Sequence, residues 1–189
     1  MVVFGDAAVA IAITLLVLPL TEAVPEAIET ERSSLDVLGD LQGQLYTFLL
    51  SFVVIARLWA AHHRIFEQVS TYNPTLLRWH LAWVFAIVVL PFPTAMIAGF
   101  GDDPFTPLLY IGTVLLASVC LTALVLVVHR NPELRDEDLP EKTIFNSVVT
   151  TASLVVALGL AFIPGVRYYA LFMLFVPPLI VRFRYRATP

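Results

Sequence analysis

A carboxylate and a hydroxyl lie within the first apolar segment of the chain, which runs from Phe4 to Leu18. Asp6 stands near its beginning and Thr14 near its middle. An ionisable side chain within a membrane span is costly unless it is paired or hydrated, so it marks a functional position or a tie between helices. On a helix, Asp6 lies about 140° around the axis from Ile11, at about 100° per residue. We therefore expect Asp6 to point at neighbouring helices.

An apolar stripe accompanies this carboxylate. Ile11, Thr14, Leu15 and Leu18 are spaced i, i+3, i+4 and i+7, so they share one face of a helix. Taken alone, such a stripe is most often ordinary packing, and a functional surface is the less common alternative. The same segment is rich in small residues that let other helices approach closely: Ala7, Ala8, Ala10 and Ala12.

Histidines are the other candidate chemical groups. His62 and His63 are adjacent, and neighbouring positions on a helix point about 100° apart, so the pair does not readily share one metal or haem. His80 and His129 complete no recognisable ligand spacing, and Cys120 is the only cysteine. The sequence contains no nucleophile–base pair and no phosphate loop. We predict neither a metal site nor an enzyme.

The amino-acid composition indicates the kind of fold that must position these side chains. Of 189 residues, 59% are hydrophobic and 14% are charged, and the mean hydropathy is +0.85. These values predict an all-α integral membrane protein with one domain over residues 1–189. The basic residues form no stripe, so nucleic acid is not an expected partner. A cleaved signal peptide is the alternative for the first segment, but Met1-Val2-Val3 carries no basic side chain.

Apolar runs of about 20 residues predict six spans. Arg and Lys flank the second-to-third and fourth-to-fifth connections and the C-terminal tail, whereas acids dominate the opposite side. The positive-inside rule therefore places both termini in the cytoplasm, and the cell membrane is the expected location. The predicted spans are Val2–Leu20 (ending near Pro19), Leu41–Phe66, Thr75–Ala98, Phe105–Val128, Thr143–Ile163 and, after the turn at Pro164-Gly165, Val166–Val181.

Three further motifs have ordinary interpretations. GFGD, at 99–102, lacks the preceding Thr and the pore helix of a cation-channel filter, so it is read as a turn between spans. Arg182, Arg184 and Arg186 have a spacing of two and end the chain, which favours an interfacial anchor to anionic lipid over a voltage sensor. Prolines within spans are expected to kink their helices: Pro91, Pro93, Pro177 and Pro178.

FGDAAVAIAITLLVLPL, at 4–20, resembles the first-helix signature of the transmembrane protein 175 potassium channels. That signature is Arg-x-x-x-Phe-Ser-Asp followed by an AIAITLLVL-like helix, and Phe4 and Asp6 match it. The segments ARLWAAHHRIF in the second span and LPFPT in the third also resemble family features. Three positions differ. Gly5 stands where the family has Ser, Ala7 stands where it often has Gly, and the Arg would fall before Met1.

The resemblance implies a homotetramer of six-helix subunits, with the first helix of each around a central pore. Ile11, Leu15 and Leu18 would form apolar rings that can close by dewetting, and Thr14 would add a ring of hydroxyls. Partial dehydration in this neck would favour K⁺ modestly over Na⁺. K⁺, other monovalent cations and membrane lipids are then the partners, and no cofactor is expected.

The resemblance also implies a polar network at the base of the pore helix. Asp6 would be anchored there by His62 or His63 of the second span and by His80 of the third, a position where the family often has Asn. Two other functions stay open. One is a proton-coupled secondary transporter that uses Asp6 and the histidines as a relay. The other is a non-conducting membrane scaffold.

Overall fold

Long helices make up the computed structural model, which describes residues 1–30, 33–100 and 103–163. Within these ranges a single isolated bridge, between Val69 and Arg135, is the one extended pairing. The helices are α1 (Val2–Leu15), α2 (Leu18–Glu29), α3 (Ser34–Asp40), α4 (Gln42–Phe66), α5 (Pro74–Val89), α6 (Pro91–Gly99), α7 (Phe105–Arg130) and α8 (Glu141–Leu160).

Five helical stretches are long and apolar enough to cross a membrane. They confirm the first five predicted spans, with ends that differ by a few residues: Val2–Pro25, Gln42–Phe66, Pro74–Gly99, Phe105–Arg130 and Glu141–Leu160. The predicted sixth span Val166–Val181, its preceding turn, the tail arginines, Pro177, Pro178 and the last two residues of GFGD lie outside the described residues. The chain is therefore an integral membrane protein of mainly helical structure.

The first span differs from the prediction because it neither ends near Pro19 nor forms one continuous helix. Pro19 has no N–H and its ring clashes with the carbonyl four residues earlier, so α1 ends at Leu15 and α2 begins at Leu18. At the break, Leu16 N donates to the Ile13 carbonyl (3.2 Å) in a tightened turn. Helix then continues through the first acidic residues to Glu29, and part of the remaining acidic stretch forms α3.

The third span bends at Pro91, as its sequence predicts. Leu90 separates α5 from α6, and its N–H donates to the Ile87 carbonyl (3.2 Å) three residues back. The Thr94 hydroxyl donates to the Leu90 carbonyl (2.8 Å), which satisfies a polar group at the bend. This hydroxyl also lies 2.9 Å from the Ser51 hydroxyl of α4, so the bend is tied to its neighbour inside the apolar core.

The centre of the bundle is α7, which packs against α4, α5, α6 and α8. Its buried side chains cover about half of the helix circumference, at about 100° per residue. Leu116 and Val119, on the opposite side, are exposed. In turn, α1 packs on α4, α5 and α6. The buried apolar side chains of α7 are Tyr110, Ile111, Val114, Ala117, Cys120, Leu121, Leu124, Val125 and Val128.

Two connections that the charge pattern assigns to one side of the membrane meet in the structure. Ser70 N, after α4, donates to the Leu134 carbonyl (3.0 Å), after α7. The Thr71 hydroxyl donates to the Glu133 carbonyl (2.7 Å). The α4–α5 and α7–α8 connections, both flanked by Arg or Lys, thus lie at the same end of the bundle.

Candidate functional site

The first helix has two faces with opposite surroundings. Gly5, Val9, Ala12 and Leu16, spaced by four, three and four residues, are buried against the other helices. Three of these four side chains are small or β-branched, so α1 can lie close to α4 and α5. One face of α1 is therefore fixed to the bundle, and the other is largely exposed.

The stripe predicted from the sequence occupies that other face. Ile11 is 60% exposed, Leu15 39% and Leu18 43%, and Thr14 is exposed as well. Leu18 belongs to α2 rather than α1, so the proline break separates it from the other three residues. The Thr14 hydroxyl donates to the Ile11 carbonyl (2.8 Å), which uses its proton and leaves its oxygen able to accept.

Asp6 points at α4, in agreement with its expected orientation. Its Oδ1 accepts a hydrogen bond from Trp59 Nε1 (2.7 Å) and lies 4.0 Å from His63 Nδ1. The other imidazole nitrogen of His63 lies 3.5 Å from Glu67 Oε1. The carboxylate of the first helix is therefore held by α4, within about the last two turns of that helix.

His62 and His80 form a second, separate pair. His62 Nε2 lies 3.0 Å from His80 Nδ1, and the two residues are 0% and 1% exposed. The His62 ring stacks on Trp83 at a centroid distance of 3.9 Å and on Phe66 at 4.4 Å. Hydrogen bonding plus stacking fixes both rings, so this pair joins α4 to α5 in the protein interior.

Gly5 brings α1 to this histidine pair. A Cβ placed on Gly5 would lie 3.2 Å from Cε1 of His62 and 3.2 Å from Cε1 of His80, closer than ordinary van der Waals contact. The absence of a side chain thus lets the first helix seat against two imidazole rings. The structure thus places Asp6 beside Trp59 and His63, and it places Gly5, rather than Asp6, beside His62 and His80.

The two adjacent histidines serve different neighbours. His62 faces α5, whereas His63 faces Asp6 and Glu67, as the roughly 100° turn between successive helical residues predicts. Within the described ranges no group of three His, Cys, Asp or Glu side chains lies close enough to hold a metal ion.

Sequence reasoning missed both tryptophans of this site. Trp59 is four residues before His63 and Trp83 is three residues after His80, spacings that place each pair on one face of a helix. That signal was available in ARLWAAHHRIF, at 56–66. It identifies a shared face but not which neighbouring helix supplies Asp6.

The fold and the site define a multi-span helical membrane protein whose first helix is anchored on one face and exposed on the other. The family model of the endosomal/lysosomal potassium channel TMEM175 matches residues 1–91. A potassium channel of Chamaesiphon minutus is 35% identical over 101 residues, which cover 53% of this chain and 49% of that protein. The endosomal/lysosomal proton channel TMEM175 of Danio rerio is 25% identical over 136 residues, covering 72% and 26%.

The likeness of fold extends further than the likeness of sequence. The crystal structure described as a lysosomal potassium-selective channel TMEM175 homologue from Chamaesiphon minutus superimposes with a TM-score of 0.76. The sequences are 24% identical, and the match covers 98% of this chain and 96% of that one. The first 91 residues match the TMEM175 family model, and the matched relatives are named as ion channels rather than enzymes. The chain matches about half of the curated Chamaesiphon channel's length and about a quarter of the Danio one.

Proposed function

We propose that this chain is a potassium channel of the cell membrane, a homotetramer of one-domain, six-helix subunits with both termini in the cytoplasm. The observation that carries the proposal is the two-faced first helix. Its buried face seats on α4 and α5, and its exposed face presents Ile11, Thr14, Leu15 and Leu18. Relatives named as potassium channels add support.

Four copies of α1 around one axis would turn the exposed stripe into rings. Ile11 and Leu15 are one helical turn apart, so their rings would lie about 6 Å apart along the pore. A narrow apolar neck of this kind can close by dewetting, because water and ions are unstable between hydrocarbon side chains. Leu18 would form a third ring beyond the proline break.

Selectivity would follow from partial dehydration at the same neck. K⁺ holds its hydration shell less tightly than Na⁺, so a constriction that strips some water favours K⁺ modestly. Thr14 would lie between the two α1 rings, with its hydroxyl proton engaged by the Ile11 carbonyl. Its oxygen would therefore face a passing cation with its lone pairs. No cofactor takes part, since the cation is the cargo.

Asp6 and the histidine pair would hold the base of the pore helix. The bond from Trp59 fixes α1 to α4, and the seat of Gly5 on His62 and His80 fixes it to α4 and α5. Because these contacts fix the N-terminal end of α1, the Ile11 and Leu15 side chains would lie at the same depth along the pore axis in all four subunits. His63, close to Asp6, belongs to the same anchor.

Reversal potentials in K⁺/Na⁺ gradients test the proposal on purified protein in lipid bilayers. Unmodified protein should give ohmic single-channel currents that reverse toward the K⁺ potential. Ile11→Asn should raise conductance and reduce selectivity, because a polar ring wets the neck. Val156→Asn, at an exposed position on α8, is the matched control and should leave both values unchanged.

The same recordings separate a channel from the proton-coupled transporter. A transporter would give saturable, proton-dependent flux without unitary currents, and Asp6→Asn would abolish it. A proton gradient should be included, since the Danio relative is named a proton channel. Proton-coupled flux that is unaffected by Ile11→Asn would reject the proposal, as would absence of any current.

A further inference from the structure

A small cavity lies where the two proline-interrupted spans face each other. It has a volume of about 20 Å³ and is enclosed by the break in the first span, by α4 and by α6. The first span contributes Leu15, Leu16, Pro19 and Leu20 to its wall, and α6 contributes Pro91 and Thr94. Both walls therefore come from stretches in which proline disturbs the helical hydrogen bonds.

The break leaves two carbonyl groups of the first span without their usual helical donors. Pro19 has no N–H for the Leu15 carbonyl, four residues earlier. Leu20 N donates to the Val17 carbonyl (3.1 Å) instead of to the Leu16 carbonyl. Within a membrane, carbonyl groups freed in this way are satisfied by neighbouring helices, by hydroxyl side chains or by ordered water. Because Leu15 and Leu16 line the cavity, a donor inside it can serve them.

The α4 wall of the cavity adds acceptors. Gln44 lines the cavity, and its Oε1 is buried and has no hydrogen-bond partner within the described part of the chain. The Thr47 hydroxyl, also in the wall, donates to the Gly43 carbonyl of its own helix, so its oxygen remains able to accept. An acceptor-lined cavity of this size suits a small occupant that donates hydrogen bonds.

We propose that this cavity binds one water molecule, which donates to Gln44 Oε1 and to the Leu15 carbonyl. A cavity needs about 10–15 Å³ of accessible volume and two to four polar partners to hold one water molecule. The volume and the acceptors described above meet both conditions. An apolar occupant would leave the Gln44 oxygen buried and unpaired, which is costly. The water joins the interrupted backbone of the first span to α4.

In the proposed channel, on which this step rests, the water positions Leu18. Leu15 belongs to α1 and Leu18 to α2, so the break lies between their two rings. A tie from the break to α4 limits how far α2 can turn or bend relative to α1. Gln44 is then a positioning residue for the Leu18 ring, because it acts through the water and the backbone.

Radiolytic labelling in heavy-oxygen water tests the site on purified protein in lipid nanodiscs. Hydroxyl radicals formed by an X-ray pulse oxidise side chains beside bound water as well as side chains exposed to solvent. Leu16 lines the cavity and is only 4% exposed, so its labelling reports bound water. Leu16 should be labelled faster than Leu76, which is 0% exposed and does not line the cavity.

Three variants assign that labelling to the cavity. Gln44→Met removes the acceptor at nearly constant volume and should reduce the labelling of Leu16 to the level of Leu76. Ala98→Val should do the same, because it fills the cavity without changing Gln44. Gln42→Met, at an exposed position of α4, is the matched control and should leave the labelling unchanged. Gel filtration checks that each variant keeps its fold.

Two results overturn the water site. One is equal labelling of Leu16 and Leu76 in the unmodified protein, which would mean that the cavity is dry. The other is undiminished labelling of Leu16 in Gln44→Met.

Single-channel recordings test the positioning role of Gln44. Gln44→Met should give several conductance levels in place of one, because Leu18 is no longer fixed, whereas Gln42→Met should keep one level. Identical recordings from the two variants overturn the positioning role. Absence of currents from the unmodified protein rejects the proposed function and the positioning role with it, whereas the labelling result still decides whether the water is bound.

Discussion

Gly5 lies where two buried imidazole rings meet the first helix. The family signature has Ser at this position, and the third-span position often has Asn where this chain has His80. A larger ring on α5 and a missing side chain on α1 compensate one another in volume, since a Cβ on Gly5 would lie 3.2 Å from each ring. Close-packed interiors make such pairs of positions depend on one another.

We therefore predict that Gly5→Ser destabilises the protein by about 1–3 kcal/mol through overpacking, and that the loss shrinks in a His80→Asn background. The measurement is a double-mutant cycle on thermal unfolding in detergent. A coupling free energy of at least about 0.5 kcal/mol is expected for residues in contact. Gly43→Ser, at an open position on α4, is the control. Strict additivity of the Gly5 and His80 changes would contradict the packing argument.

At the scale of the element, α8 depends on hydroxyls for its attachment to α7. The Thr122 hydroxyl lies 2.7 Å from that of Ser147 and 2.8 Å from that of Thr151, and Ser118 lies 2.8 Å from Thr151. In lipid, apolar contact gives little drive for helix association, so interhelical hydrogen bonds and close packing carry it. The cluster therefore holds α8 in register on α7.

Removal of one hydroxyl from this cluster tests whether the cluster stabilises the packing of α8 on α7. Thr151→Val should lower the free energy of unfolding by about 0.6–2 kcal/mol, because Ser118 and Thr122 lose a shared partner. Thr150→Val is a matched control, since the Thr150 hydroxyl donates to the Asn146 carbonyl (2.8 Å) of its own helix. The melting temperatures of the two variants in detergent are the measurement, and Thr151→Val should melt at the lower temperature. Equal melting temperatures would mean that the cluster contributes nothing to docking.

At the scale of the whole molecule, the two basic connections meet at one end of the bundle, through Ser70 and Leu134. The positive-inside rule then assigns this end to the cytoplasm. The acidic α3, which precedes α4, belongs to the opposite end.

A cysteine-labelling experiment in intact cells tests this orientation. In a Cys120→Ala background, Leu35→Cys on α3, where Leu35 is 78% exposed, should react with a membrane-impermeant maleimide added outside. Ser70→Cys, in the α4–α5 connection, should react only after the membrane is permeabilised. The reverse pattern would show that the termini face outward.

The sequence by itself determined the first five apolar spans, the bend at Pro91, the shared face of the Ile11 stripe and the direction of Asp6 toward other helices. These are local properties: they depend on the hydropathy of consecutive residues, on the missing N–H of proline and on the helical period. Pro19 also lacks an N–H, and the sequence predicted that the first span ends near it. In the structure the helix is interrupted before Pro19 and then continues as α2.

Only the tertiary structure decided which partners meet. That Asp6 accepts from Trp59, that His62 pairs with His80 rather than with Asp6, and that Gly5 is their seat all depend on how α1, α4 and α5 are placed and rotated. Residues 18 positions apart, as in the histidine pair, and 53 positions apart, as in the bond from Trp59 to Asp6, become neighbours through the packing of whole helices. No spacing along one helix contains that information, because a period fixes a direction around its own axis and not the neighbour found there.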